Sequence, residues 1–255
     1  MFTSPFNVSS LGRNAIFGLM MSASFVSYAA SLTAGSPPSS APTTFLDTKT
    51  GKIEGFMPDV AHEVAKRENL DINYTAVPFA TLIKSVIAGK IDVIVAGMTP
   101  TTERAKRISF SQPVTAFGAG LVVRDDNHKT YSSWQDLKGE VVGSMAGTDY
   151  TQSLMKSGIA KDVKVYDSPA DMTRDLALGR IAAGLNDYPI LKAQENVGDL
   201  KGMHVVEGYK PESVSPIAFG VKKGNEALLA KIDSALTAMK ADGSLDKLKA
   251  KWSMP

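Results

Sequence analysis

The chain has 255 residues, with 28 Lys and Arg against 26 Asp and Glu, a formal charge of +2 and 44% hydrophobic residues. A charged fraction of 21%, with 21 Gly and 13 Pro, is that of an ordinary globular protein; it excludes collagen-like, long disordered and multi-span membrane chains, and the charge is too small to mark a nucleic-acid binder. With no cysteine there are no disulfides, thiolate nucleophiles or Cys-based metal centres, and His62, His128 and His204 lie too far apart in sequence to suggest a metal site.

At the N-terminus, Ala15 to Ala30 is an uncharged, mostly apolar run behind Arg13, with small residues at Ser27, Ala29 and Ala30. This is the n-, h- and c-region pattern of an export signal, and residues 1–30 are read as one. The stretch from Asn14 to Leu46 carries no charge, which keeps an uncleaved anchor as the alternative. Leu32 to Ala34 reads as a short strand, followed by a Ser/Pro/Thr loop and a turn at Thr50-Gly51. Val60, Val64 and Ala65 fall on one face of a helix over Val60 to Glu68, with Pro58 suited to its first turn. Asp71 to Val77 alternates as a strand, Leu82 to Ala88 is a helix closed by Gly89, and Ile91 to Ala96 is an apolar run expected of a strand covered on both faces.

The alternation then restarts. Val141 to Ser144, Lys164 to Tyr166 and Ile181 to Leu185 read as strands, and Asp149 to Ser157 and Ala170 to Leu178 as helices. Asn225 to Trp252 is a long helical region with Leu228, Leu229, Ile232, Leu236 and Met239 at helical spacing, broken at Gly243 to leave a terminal helix, Ser244 to Lys251. Two such strand–helix blocks predict an α/β architecture with partly parallel sheets.

Four strings occur in a fixed order: GKIEGFMPDVAHEVA (51–65), GKIDVIVAGMTPTTERAKRISFSQP (89–113), WQDLKGEVVGSMAGTDY (134–150) and ALGRIAAGLNDYP (177–189), with KLKAKW (247–252) near the C-terminus. Over about residues 45 to 252 the chain resembles the family 3 periplasmic solute-binding proteins, the polar amino-acid receptors of ABC importers. The resemblance implies a type II periplasmic-binding fold: two Rossmann-like α/β lobes joined by two crossing strands, with a small zwitterionic solute held between them. The crossings are expected near Ala116 to Leu121 and Ser213 to Ala218, giving lobe 1 as 32–117 plus 216–255 and lobe 2 as 118–215. Signal cleavage near Ser36 would remove the first strand that such a lobe needs, so a cut near Ala29 or Ala30 is preferred.

Chemistry and resemblance meet at a small set of residues. Arg104, five residues after Thr99 in a turn after a buried strand, is of the type that pairs a carboxylate through two parallel hydrogen bonds, and the family uses its matching Arg for the ligand α-carboxylate. Gly97 and Thr99 match positions that offer an N–H and a hydroxyl to the same ligand. Thr148 and Asp149 open a helix whose N-terminal N–H groups attract an anion, beside the plainer reading that one of them simply caps it. Asp187 matches the acidic residue that takes the ligand ammonium, and Phe79 an aromatic that covers the ligand side chain; Met145 is a further lining candidate. Isolated residues of these types more often serve as caps, core aromatics or solvated side chains.

Two departures stand out. With Phe45 in register, the family's first-loop acidic and aromatic positions become Pro37 and Ser40. Asp149 adds a negative charge near the expected carboxylate, so it either points away as a cap or meets a cationic group of the ligand. The resemblance implies a monomeric binding protein with no cofactor, metal or catalysis, delivering its solute to a membrane permease. A cyclohexadienyl-dehydratase-like enzyme on the same fold, with Asp187 or Asp149 as general acid, is the alternative, and a free protein reporting to a separate sensor is a third.

Overall fold

Apolar runs of two kinds take different places in the molecule. Uninterrupted ones, such as Val93–Ala96, lie inside sheets covered on both faces, whereas the alternating segment DINYTA lies at a sheet edge with Ile72 and Tyr74 turned inward. The computed structural model of the protein describes residues 30–255, so the predicted export signal lies outside the described residues except for Ala30.

In chain order, β1 (Ala30–Ser36) leads into a meander of β2 (Ser39–Ser40), β3 (Thr44–Asp47) and β4 (Lys52–Glu54). Then come α1 (Phe56–Arg67), β5 (Leu70–Ala76), a 3-10 turn at Phe79–Thr81, α2 (Leu82–Ile87), β6 (Val93–Ile94), α3 (Thr102–Ala105) and β7 (Ile108–Phe110). The chain leaves through β8 (Thr115–Phe117). The second half is β9 (Ala119–Arg124), β10 (Val141–Met145), α4 (Asp149–Ser157), β11 (Asp162–Tyr166), α5 (Pro169–Ala177), β12 (Ala183–Asp187), α6 (Tyr188–Asn196) and β13 (Met203–Val205). It returns through β14 (Ser215–Ile217) and ends with β15 (Gly220–Lys222), α7 (Glu226–Ala241) and α8 (Ser244–Lys251).

The first sheet has the order β5-β1-β6-β15-β7 and the second β11-β10-β12-β9-β13. In each, the first three strands are parallel and the strand that enters from the crossing segment is antiparallel to its neighbours. The crossing strands β8 and β14 pair antiparallel, with Ala116 opposite Pro216. Two α/β lobes joined by two crossing strands is thus the architecture. Beside the crossing, Gly118 is required by space: a Cβ there would lie 2.6 Å from Pro211 Cγ and 2.7 Å from the Ser213 carbonyl oxygen.

Each sheet buries both faces. In the first, Phe56, Val60 and Val64 of α1 join Leu228, Ile232, Leu236 and Met239 of α7 on one side, and Leu82 and Val86 of α2 pack on the other. In the second, Leu154 of α4 covers one face, while Met172 and Leu176 of α5 and Leu191 of α6 cover the opposite one. Burying one such side chain contributes about 1.5–3 kcal/mol, so these layers dominate stability.

Three boundaries differ from the sequence reading for tertiary reasons. Helix α1 starts at Phe56, ahead of Pro58, because the Phe56 and Met57 N–H groups donate to the Pro42 and Thr43 carbonyls of the meander. The strand read at Ile181–Leu185 is β12 at Ala183–Asp187, its end fixed by pairing of Asp187 with Ala119. Arg104, read as lying in a turn, sits in the one-turn helix α3, capped by Thr101, whose side chain accepts the Arg104 N–H at 3.2 Å.

Candidate functional site

The tips of both sheets face one another across the crossing strands, and the sequence-predicted residues come from loops at those tips. On the first lobe, Phe79 lies in the 3-10 turn before α2, and Gly97 and Thr99 follow β6. On the second, Met145 ends β10, Thr148 and Asp149 open α4, and Asp187 ends β12. Contact between the lobes is close. Gly147 has φ 78°, and a Cβ on it would lie 2.8 Å from Ala80 Cα; the same atom added to Gly97 would lie 3.4 Å from Asp187 Oδ2.

Two cavities lie in this cleft. The smaller, about 50 Å³, lies toward the crossing strands and is lined by Phe79, Gly97, Thr99, Thr148, Asp149 and Asp187, together with Phe117, Trp134, Tyr150 and Glu212. The larger, about 540 Å³, lies on the other side of Asp187. Phe79, Thr148, Tyr150 and Asp187 border both, and Met145 and the Pro37–Ser40 loop border the larger one alone. Both departures noted above therefore fall on cavity walls. Met98, a second methionine of the same strings, is instead buried in the core under α2.

Arg104 is in neither lining. Its guanidinium donates to the Thr99 carbonyl at 2.7 Å and, across the cleft, to the Gly147 carbonyl at 2.9 Å, and its carbon lies 5.6 Å from the centroid of the Phe79 ring. Burial pulls its pKa down, and Asp149, Asp187 and Tyr150 oppose that pull. Thr148 is the cap of α4: its hydroxyl accepts the Thr151 N–H and donates to the Met145 carbonyl at 3.0 Å. Asp149 is not the cap and borders the smaller cavity. The first turn of α4 leaves the N–H groups of Asp149 and Tyr150 without intrahelical partners, and both residues border the smaller cavity.

Asp187 is the most perturbed carboxylate. Burial, and then the like charge of Asp149, push its pKa up to about 7, against the Tyr150 hydroxyl and Arg104. It makes no side-chain cap for α6, so its carboxyl is not spent on the helix it precedes. Burial and the neighbouring Asp187 raise the Tyr150 hydroxyl well above its ordinary value, so that it stays a neutral donor. The site thus gathers two carboxylates and a helix N-terminus on one cavity wall, with one guanidinium packed beside Phe79, a layout suited to a ligand with both an ammonium and a carboxylate. Sequence reasoning missed Tyr150 and Asn186 as wall residues. Both lie inside strings already singled out, next to Asp149 and Asp187, so proximity was the available signal.

Two α/β lobes with a charged, part-apolar cleft at their junction define a solute-binding protein. The profile of the bacterial extracellular solute-binding proteins, family 3, matches residues 32–255, and the chain belongs to this family. It is 33% identical over 204 residues to the L-cystine-binding protein TcyJ of Escherichia coli (strain K12), covering 79% of this chain and 75% of that one. It is 29% identical over 202 residues to the ABC transporter arginine-binding protein 1 of the same strain, covering 79% and 82%. Among solved structures it is similar to an ancestral arginine-binding protein bound to arginine, with a TM-score of 0.81 at 34% identity, covering 88% of this chain and 98% of that one.

Proposed function

We propose that this protein is the exported receptor of an ABC importer, capturing an amino acid or amino-acid derivative between its lobes and presenting it to a membrane permease. One observation carries the reading: Asp187, Asp149 and the N-terminus of α4 border one interlobe cavity, and Arg104 bridges the two lobes behind its Phe79 wall through the Thr99 and Gly147 carbonyls. Asp187, with Asp149 behind it, takes the ligand ammonium. Arg104, Gly97, Thr99 and the first N–H groups of α4, capped by Thr148, take the carboxylate. Phe79 and Met145 cover the side chain. The relatives, which include cystine- and arginine-binding proteins, support an amino-acid ligand.

Lobe 1 is assigned to 32–117 plus 216–255 and lobe 2 to 118–215, and the β8–β14 ribbon is where they hinge. Residues 1–30 act as the export signal, with a cut near Ala29 or Ala30 that removes at most the first residue of β1, and the protein works as a periplasmic monomer without catalysis, cofactor or nucleic acid. Thermal shift across amino acids, opines and betaines tests the reading. Stabilisation by a zwitterionic class, lost in Arg104→Ala, is expected, and no shift with any of them refutes it. The raised pKa of Asp187 also suits a general acid, so a dehydratase acting on prephenate-like acids is the second reading. Turnover of prephenate by the purified protein, abolished in Asp187→Asn, would favour it over capture.

A further inference from the structure

The larger cavity holds a polar group that ammonium and carboxylate binding leave unused. Asn186, beside Asp187 in β12, is 2% exposed and borders this cavity. Its Oδ1 accepts the Asp187 N–H at 2.9 Å, and the Tyr150 hydroxyl lies 3.5 Å from the same oxygen. Flipping the amide would turn its NH2 toward the Asp187 N–H, donor to donor, so the side chain has one orientation. That orientation leaves Nδ2 buried with no acceptor among the described residues. A buried donor without a partner is costly, and at the wall of a ligand cavity it marks where an acceptor arrives.

The surroundings define the acceptor. Pro37, Pro38, Phe79 and Ile190 give the cavity apolar walls, and its charged lining residues are both acidic, Asp187 and, at the exposed rim, Asp167. A side-chain carboxylate would lie near two like charges. An ammonium or guanidinium carries only donors and would meet Nδ2 donor to donor. An aliphatic side chain would leave Nδ2 unpaired.

Resting on the amino-acid reading above, we propose that Asn186 is a specificity-determining residue, and that it selects α-amino acids whose uncharged side chain carries an amide- or urea-type carbonyl. Nδ2 donates to that carbonyl oxygen, and the Pro37–Phe79 walls cover the apolar stem of the side chain.

Citrulline and arginine have equal length and differ in a urea carbonyl against a guanidinium, so titration calorimetry with both probes tests the donor directly. The wild-type protein is expected to bind citrulline at least about tenfold more tightly than arginine. Asn186→Asp keeps an oxygen for the Asp187 N–H and replaces the donor by an acceptor, so the preference reverses. If that variant does not fold, Asn186→Leu, which has neither group, is expected to bring the citrulline-to-arginine ratio close to one. Equal or tighter arginine binding by the wild type, or a ratio unchanged in the variants, overturns the proposal while leaving amino-acid capture intact. Failure of every α-amino acid to bind overturns both.

Discussion

Asp187 allows the electrostatics of the cleft to be tested without a ligand. Burial and Asp149 push its carboxyl from 3.8 up to about 7. Below about pH 4 it is protonated in both the folded and the unfolded chain and contributes no pH dependence. Between about pH 4 and pH 7 the folded chain alone holds the proton, so stability falls as pH rises; above about pH 7 both states are ionised and the full cost remains. At about 1.4 kcal/mol per pH unit, that cost is at most about 4 kcal/mol, reduced by whatever water and small movements relieve. Asp187→Asn removes the titration and keeps the shape. Urea denaturation of both proteins is expected to show similar stabilities near about pH 4.5 and a variant more stable by up to about 4 kcal/mol near about pH 8. A gap between the two proteins that does not change with pH would refute the assignment.

The same proton governs binding: an ammonium that requires ionised Asp187 should bind about tenfold more weakly for each pH unit below about 7, read by calorimetry from about pH 5 to pH 8. Arg104→Ala removes donors to the Thr99 and Gly147 carbonyls and, in the proposed role, the carboxylate partner; ligand affinity should fall by about 2–3 kcal/mol or more, while circular dichroism stays that of the wild type. Gly147→Ala forces a Cβ against Ala80 at φ 78°, so the lobes should separate; small-angle scattering should give a larger radius of gyration, and affinity should drop. Asp59 accepts from both Lys251 Nζ and Trp252 Nε1 at 2.7 Å, so Asp59→Ala should cost about 1–3 kcal/mol in urea denaturation by freeing α8 from α1.

Much of the fold was legible because the signals were local. Helix α4 and the terminal helix α8 occupy the spans that periodicity and Gly243 set, and α7 buries four of its five predicted apolar residues, with Leu229 only partly covered. The alternation of β5 and the unbroken run around β6 likewise reported how many faces each strand covers. Less legible were segments whose ends are fixed by distant chain. These include the start of α1 against the Pro42 and Thr43 carbonyls, the shift of β12 through its pairing with β9, and the meander of β2 to β4 inside an expected loop.

The candidate site divides in the same way. The resemblance of the four strings to the family singled out Arg104 and Asp187, and the start of the predicted helix at Thr148 and Asp149 singled out Asp149; residue type alone would have left all three as caps or solvated side chains. Where each charge points is a property of packing. The sequence left open whether Thr148 or Asp149 caps α4, and a hydrogen bond to Thr151 decides for Thr148, which leaves Asp149 on the cavity wall. It marked Arg104 as a fork for a carboxylate, and the fold sets two of its N–H groups against carbonyls on opposite lobes. Nothing in the order of residues gave Asn186 its fixed orientation, which follows from its Oδ1 accepting the Asp187 N–H. Periodicity thus determined two strand–helix blocks, and the family motifs pointed to the chemical groups between them. Only tertiary structure decided which groups are buried, which are paired and which are left open, because desolvation and hydrogen-bond partners depend on neighbours far away in the chain.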